Sequence, residues 1–221
     1  MVSMDCETSG LADTDCVHVV SLYDGRSQQA VSYTEASHGS SYLCSALAAC
    51  AAQARVVTFN GTGFDYRMIS NNVPHVADKA SAARLSLSTV DVMLNFACDT
   101  GYFSSLSSFA TSTLNEAKSG DGAEAVDDWA AGRHAKVIKY CEHDAALTHA
   151  LYDHARMYGR LTRTTKAGRK ATWVCSANPL RPTVQALTEY EQSPPDTSWM
   201  KDGTAPDING IADWAINILA M

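Results

Sequence analysis

Residues 1–8 read MVSMDCET, which places two carboxylates, Asp5 and Glu7, two positions apart. If this segment is a β-strand, both acids project from the same face, because side chains alternate between the two faces of a sheet. Neighbouring carboxylates repel each other, and a divalent cation between them removes that repulsion. A solvated strand edge would also accommodate such a pair, so the segment alone leaves both interpretations open.

The pattern around this segment predicts an α/β fold. Residues 17–23 and 29–33 are short β-rich runs, and the turn residues Asp24 and Gly25 between them favour a hairpin. Residues 42–54 are rich in Ala and Leu and predict a helix, and residues 55–59 predict a buried strand. Further helices are predicted at residues 64–71, 106–114, 123–131 and 135–158. This order of elements predicts a mixed sheet with a hairpin edge, flanked by helices.

A third acid directly follows the predicted buried strand. The sequence there is NGTGFD (residues 60–65), and its glycines allow the chain to turn from the strand into a helix that begins near Asp65. An acid near a helix N-terminus also caps the helix and interacts favourably with its dipole. Taken alone, capping is therefore the simpler explanation of Asp65.

A fourth acid lies on the most strongly periodic helix. Tyr140 and Asp144 are four residues apart and share one helix face with the apolar residues Val137 and Leu147. A carboxylate on an apolar face is costly unless it is paired or bound to a metal. A Tyr–Asp hydrogen bond in the core and a metal ligand both explain this position.

Together these elements resemble the DEDD superfamily of 3′–5′ exonucleases, which have a ribonuclease H-like fold. The match consists of D-x-E on the first strand, N-x(3)-F-D after a later strand, and Y-x(3)-D on a late helix. It extends through residues 8–11, 105–110 and 115–122 and covers roughly residues 1–158. The tyrosine is typical of the DEDDy branch, which includes the proofreading domains of family B DNA polymerases. In the histidine branch the base lies one residue earlier, and that position is Lys139 here.

The resemblance implies a catalytic centre with two divalent cations, Mg²⁺ or Mn²⁺, that clamp the scissile phosphate. Carried over to this chain, Asp5 would contact both ions, Glu7 and Asp144 would complete one site, and Asp65 would support the other. Tyr140 would orient the attacking water. The hard oxygen ligands also favour Mg²⁺ or Mn²⁺ over zinc.

The activity that the resemblance implies is release of nucleoside 5′-monophosphates from single-stranded DNA 3′ ends. An RNA 3′ end is a close alternative, because the catalytic set itself does not read the 2′-OH. A non-catalytic nucleic-acid-binding or partner-docking module that keeps the fold is a further alternative. The complete set of acids together with Tyr140 favours the enzyme.

Five further residues are candidate substrate contacts. Thr8 and Leu11 follow the first acids, and Leu11 and Phe64 could pack against the terminal base. Asn60 could hold the sugar, and Lys118 could contact a phosphate. The simpler explanations are turn stabilisation for Asn60, core packing for Phe64 and solvation for Lys118.

The composition indicates a globular protein. Of the 221 residues, 46% are hydrophobic and 19% charged, a balance that argues against a disordered or fibrous protein. No apolar run approaches the roughly 18 residues of a membrane span. No secretory signal is recognisable, so we expect a soluble, intracellular protein, cytoplasmic or nuclear and not secreted. The seven cysteines are odd in number and scattered, which favours reduced thiols over disulfides.

The formal net charge of −7 argues against a protein that coats nucleic acid through its general field. It is compatible with an enzyme that binds a short single-stranded end, because bound metal ions supply local positive charge. It also leaves room for a partner such as a polymerase or helicase that provides most of the grip on nucleic acid.

Residues 159–221 lie outside the resemblance and are predicted to form an appendage packed on the core domain, residues 1–158. A hairpin is predicted at residues 160–174 and a last helix at residues 207–219. The hairpin carries five basic residues, with Trp173 nearby; these are Arg160, Arg163, Lys166, Arg169 and Lys170. They suggest that the hairpin guides single-stranded nucleic acid by phosphate contact and stacking. Basic residues that protect an exposed hairpin edge would explain the same charges.

Overall fold

The computed structural model describes residues 1–175, 180–198, 200 and 206–221. Its main sheet has five strands in the order β3-β2-β1-β4-β5. These strands are β1 (Val2–Thr8), β2 (Val17–Asp24), β3 (Gln29–Tyr33), β4 (Val56–Thr58) and β5 (Val90–Asp91). Strands β1 to β3 pair antiparallel in sequence order, whereas β4 and β5 continue the sheet parallel to β1. The predicted mixed sheet with a hairpin edge is therefore confirmed.

Helices cover both faces of this sheet. Those of the N-terminal half are α1 (Glu35–His38), α2 (Tyr42–Ala51), α3 (Asp65–Asn72), α4 (Val76–Ser88) and α5 (Val92–Thr100). Those that follow are α6 (Leu106–Phe109), α7 (Gly122–Ala130), α8 (His134–Tyr158), α9 (Thr183–Gln192) and α10 (Asp213–Leu219). A π-helical turn, Ala110–Leu114, continues α6, and a 3₁₀ turn, Asn209–Ala212, precedes α10.

Strand β1 separates its apolar residues from its acids. Met4 and Cys6 belong to the apolar core that includes residues of α2 and α3. Asp5 and Glu7 project from the opposite face, as the alternation of a strand requires. That face is covered by α8, whose Cys141 thiol donates a hydrogen bond to the Asp5 carbonyl oxygen at 3.3 Å. The two acids of the D-x-E motif therefore point towards α8.

Helix α8 packs on β1, β2 and β4 along one buried face. Val137, Leu147 and Leu151 on this face are each at most 2% exposed. Tyr140 and Asp144 lie on the same face, as their spacing predicts, and are also buried. The helix thus brings a tyrosine and a carboxylate to the side of β1 that carries Asp5 and Glu7.

The C-terminal hairpin consists of β6 (Arg160–Thr164) and β7 (Lys170–Val174), as predicted. Leu161 and Trp173 are buried in an apolar cluster with Phe96 of α5 and Phe109 of α6. Gly159 ends α8 in the left-handed conformation, with φ 65°, which favours glycine. The domain boundary at this position stays a prediction.

Several elements were not predicted from the sequence. Helices α4, α5 and α9 and strand β5 lie in stretches without a clear periodicity, and β5 has only two residues. The predicted helix at 207–219 begins as a 3₁₀ turn and becomes α-helical only at Asp213. Within the described part of the chain, we find no helix that is both long enough and apolar enough to cross a membrane.

Candidate active site

The ten residues predicted as ligands, general catalysts or substrate contacts line one cleft of about 590 Å³. The cleft lies between the loop after β1, the start of α3, the loop before α7, and α8. Its predicted lining residues are Asp5, Glu7, Thr8, Leu11, Asn60, Phe64, Asp65, Lys118, Tyr140 and Asp144. The three sequence motifs are therefore brought together in space, although Asp5 and Asp144 are 139 positions apart in the sequence. The roles of the individual residues stay predictions.

Asp65 does not act as a helix cap. It is the first residue of α3, and the N-cap position belongs to Phe64, which makes no side-chain capping bond. The Asp65 carboxylate instead reaches β1, where its Oδ1 accepts a hydrogen bond from the Cys6 backbone N–H at 2.8 Å. This bond fixes the start of α3 against the strand that carries Asp5 and Glu7.

Asp91 shapes the turn that leads to Asp65. This role of Asp91 was not predicted from the sequence. Its Oδ1 accepts hydrogen bonds from the backbone N–H groups of Asn60 at 2.9 Å and Leu94 at 3.0 Å. Its Oδ2 accepts one from the Thr62 N–H at 3.0 Å. Asn60 adopts the left-handed conformation, with φ 69°, inside this turn. Asp91 is fully buried, so its bonds to the backbone are the reason that a carboxylate is tolerated there.

Glycine is required in the same turn for a steric reason. A Cβ atom at Gly61 would lie 2.5 Å from the Thr58 side chain, which is too close for any other residue type. The turn is thus fixed by a close approach as well as by the bonds to Asp91.

Burial and mutual repulsion raise the pKa values of the cleft acids. Burial, followed by repulsion from Asp144, raises the pKa of Glu7 to about 8, against the opposing effect of Lys118. Burial raises the pKa of Asp65 to about 7, although its hydrogen bonds with Cys6 oppose the change. The pKa of Asp5 lies well above its usual range because of burial and then the charges of Asp65, Glu7 and Asp144. Four carboxylates that repel one another when ionised favour an added cation, which stabilises their ionised forms.

The hydrogen bonds of the site are also incomplete. Asp5 Oδ2 and Asp144 Oδ1 are buried and have no hydrogen-bond partner among the described residues. An unpaired buried carboxylate oxygen is costly, and coordination of a cation satisfies it. Unpaired oxygens on clustered carboxylates fit Mg²⁺ or Mn²⁺, which prefer oxygen ligands.

A sulfur atom lies beside these oxygens. One ligand atom each of Asp5, Glu7 and Cys141 lies within 4.8 Å of the others. Burial raises the pKa of the Cys141 thiol well above its usual range, and the thiol donates to the Asp5 carbonyl. A protonated thiol that already donates a hydrogen bond is a poor metal ligand, so the carboxylates remain the predicted ligands.

Lys118 is paired rather than solvated. Its Nζ lies 2.5 Å from Asp144 Oδ2 and 5.0 Å from the centre of the Tyr140 ring. The loop that carries it continues over the same tyrosine, because a Cβ atom at Gly120 would lie 3.4 Å from the Tyr140 ring. Burial and the charge of Asp144 raise the pKa of the Tyr140 hydroxyl, which is therefore a hydrogen-bond donor at neutral pH.

The remaining predicted contacts lie around the mouth of the cleft. Leu11 is 81% exposed, whereas Asn60 and Phe64 are partly buried. The Thr8 hydroxyl donates to the Gly10 carbonyl oxygen and so shapes the loop rather than facing solvent. Phe59 also lines the cleft and was not predicted; it packs edge-on against Phe109 at a centroid distance of 6.1 Å.

Comparison with known proteins supports the fold. Residues 2–156 match a family model described as the RNase H superfamily. No curated protein matches the chain significantly. The matched range contains all ten predicted residues of the cleft.

Proposed function

Because the chain belongs to the RNase H superfamily, a family that indicates a nuclease-type activity, we propose that it is a metal-dependent 3′–5′ exonuclease. The substrate in this proposal is a single-stranded DNA end, and the product is a nucleoside 5′-monophosphate. The coarser statement, a nuclease-type fold, follows from the family alone. The direction of attack and the two-metal mechanism are our inference from the residues of the cleft.

One observation carries the proposal. Carboxylates from β1, from the start of α3 and from α8 converge on a single cleft with Tyr140, and two of their oxygens are unpaired. A structural role for this cluster would leave the repulsion between the acids and the unpaired oxygens unexplained. A divalent-cation centre explains both.

In the proposed mechanism, bound divalent cations supply Lewis acidity and a water molecule that ionises at neutral pH. Asp5, Glu7 and Asp144 would hold one cation, and Asp5 and Asp65 would hold the other. The Tyr140 hydroxyl stays protonated and donates a hydrogen bond that orients the attacking water. Lys118 contributes positive charge to the scissile phosphate, and Leu11 and Phe64 pack against the terminal base.

The environment of the cleft favours a short single-stranded end over a long duplex. A protein with a net charge of −7 does not attract nucleic acid over its whole surface. The positive charge needed to hold a phosphate is instead local and comes from the cations and Lys118. A polymerase or helicase partner, which would supply further grip, stays a prediction.

The experiment is degradation of 5′-labelled single-stranded DNA and RNA of equal sequence with Mg²⁺ or Mn²⁺. Wild type, Asp5→Ala and Asp213→Ala are compared; Asp213 is an exposed acid in α10 and serves as the matched control. We expect a metal-dependent ladder from wild type and Asp213→Ala and none from Asp5→Ala, with nucleoside 5′-monophosphate as the product. A circular single strand should resist cleavage.

Other results lead to other functions. Degradation of RNA alone would keep the chemistry and change the substrate. Cleavage of the circle would show an endonuclease. No cleavage of either strand by folded, metal-supplied wild type would contradict the proposal and leave a non-catalytic binding module.

A further inference from the structure

Within the described part of the chain, Lys118 is held only by groups of the candidate active site. Among the described residues its ammonium pairs with Asp144 and lies over the Tyr140 ring, and no other hydrogen bond or ion pair involves this residue. Its side chain keeps 23% exposure, whereas that of Asp144 keeps 3%. The cation therefore lies at the border between the solvent and the buried acids.

The position of Lys118 conflicts with full use of Asp144 as a metal ligand. Its ammonium occupies Oδ2 at 2.5 Å, while Oδ1 is the unpaired oxygen. A divalent cation bound to the same carboxylate would lie within a few ångströms of this ammonium, where like charges repel strongly. In the absence of metal, however, Lys118 forms the ion pair with this buried acid and has the largest opposing effect on its raised pKa.

The loop that carries Lys118 is anchored at its two ends. Asn115, in the left-handed conformation, ends the π-helical turn, and Asp121 caps α7 by accepting hydrogen bonds from the N–H groups of Ala123 and Glu124. Lys118 lies midway between these anchors. Its side chain can therefore change partner while the ends of the loop stay in place.

We propose that Lys118 is an internal counter-cation of the candidate metal centre. It holds Asp144 in the metal-free protein, and a divalent cation displaces it so that its ammonium turns towards the scissile phosphate. This inference rests on the proposed metal-dependent function and makes Lys118 a positioning residue as well as a substrate contact. It explains why a lysine is placed among acids that are expected to bind metal.

The first test measures Mn²⁺ binding by electron paramagnetic resonance without nucleic acid. The proteins are wild type, Lys118→Met, and Lys139→Met as the matched control, an exposed lysine of α8. Removal of a unit charge next to the cation should tighten Mn²⁺ binding by about tenfold in Lys118→Met. Lys139→Met should bind as wild type does. Unchanged or weaker binding by folded Lys118→Met contradicts the inference.

The second test uses the wild-type protein and so does not depend on a variant that folds. The rate of acetylation of each lysine by an amine-selective reagent is measured by mass spectrometry with and without Mg²⁺. Displacement from Asp144 should speed acetylation of Lys118 severalfold, while Lys139 should react at the same rate in both samples. Equal rates at Lys118 would overturn the inference.

The outcomes separate this inference from the function on which it rests. If wild type degrades DNA in a metal-dependent way but Lys118 fails to respond in either one of the two tests, the inference is wrong and the function stands. If wild type binds no Mn²⁺ at millimolar concentration, both are wrong.

Discussion

Asp91 and Asp144 are both buried aspartates, but the protein treats them differently. Asp91 is completely buried, and both of its carboxylate oxygens accept hydrogen bonds from backbone N–H groups. Asp144 is 2% exposed; one oxygen pairs with Lys118 and the other has no partner among the described residues. Burial raises the pKa of each. Burial alone therefore does not distinguish a structural acid from a candidate ligand, whereas the satisfaction of its oxygens does.

Asp128 is a structural acid like Asp91, because both of its carboxylate oxygens have partners. Its two oxygens pair with Arg133 and Lys136, each at 2.6 Å, at the junction of α7 and α8. Nothing about this acid requires an added cation. Of the acids compared here, those at the cleft are the ones that combine mutual repulsion with unpaired buried oxygens.

The largest expected effect is on activity, in Glu7→Gln. At pH 7 Glu7 is mostly protonated in the metal-free protein, since its pKa is about 8, so glutamine should preserve the fold. Loss of a ligand charge should lower kcat/KM by about 10²–10³-fold, as for other electrostatic contributions to catalysis. Activity assays and urea unfolding of the same samples check this. A parallel fall in the free energy of unfolding would place Glu7 with the structural acids instead.

Asp91→Asn should show the opposite behaviour. The amide replaces a carboxylate that accepts three backbone hydrogen bonds, and its NH₂ group meets N–H donors. We expect the free energy of unfolding to fall by about 1–3 kcal/mol. The control is Asp213→Asn, an exposed site where the change should stay within about 0.5 kcal/mol. Equal stability of the two variants would remove the distinction drawn between Asp91 and Asp144.

Local periodicity in the sequence was enough to predict part of the candidate site and most of the main sheet. Asp5 with Glu7, and Tyr140 with Asp144, could be predicted to share a face because each pair follows the period of a single strand or helix, and local geometry fixes where such pairs point. The main sheet was predicted for the same reason, except for its two-residue edge strand β5.

The residues that were missed depend on contacts between distant parts of the chain. Asp91 binds a turn about 30 residues earlier, from a strand too short to show alternation. The pairing of Lys118 with Asp144 joins an irregular loop to a helix, and no periodicity connects them. Such partners are decided by tertiary packing rather than by local pattern.

The stability of the metal-free protein should depend on pH because of the cleft acids. The folded-state pKa values of Glu7, about 8, and Asp65, about 7, exceed the ordinary values of 4.5 and 3.8 for these side chains. Through these two groups the folded protein binds more protons than the unfolded chain between about pH 4 and pH 8, so their contribution to stability falls as pH rises through this range. The lowered pKa values of His18, His149 and His154 act in the opposite direction, and we expect the two carboxylates, with their larger shifts, to dominate. Without metal, unfolding at pH 5 should cost at least about 1.4 kcal/mol more than at pH 8, the equivalent of one pKa unit on one group.

The control for this titration is saturating Mg²⁺. The cation binds the ionised acids and should reduce the loss of stability at high pH. Urea midpoints at both pH values, with and without Mg²⁺, provide the measurement. A metal-free protein that is more stable at pH 8 would contradict the assignment of raised pKa values to this cleft.

The basic residues of the hairpin also differ in whether their side chains have partners within the protein. Arg163 lies 4.6 Å from the Tyr102 ring and 5.4 Å from that of Phe96, and also bonds the Tyr102 hydroxyl. Trp173 is buried, and its Nε1 donates to Asp99 Oδ2 at 3.0 Å. Neither residue presents its side chain to a passing strand. The hypothesis of nucleic-acid guidance is therefore restricted to the four exposed residues Arg160, Lys166, Arg169 and Lys170.

The smallest expected effect is that of replacing these four exposed residues by Ala. If they contact phosphates, single-stranded DNA should bind severalfold more weakly, and each lost contact should reduce the salt dependence of binding by about 0.7. Stability should barely change. Arg163→Met is the matched control; it should lose about 1 kcal/mol of stability with its ring contacts and leave the salt dependence unchanged. Fluorescence anisotropy over a range of salt concentrations measures both proteins. Identical affinity and salt dependence in wild type and the fourfold variant would leave protection of the hairpin edge as the explanation of these charges.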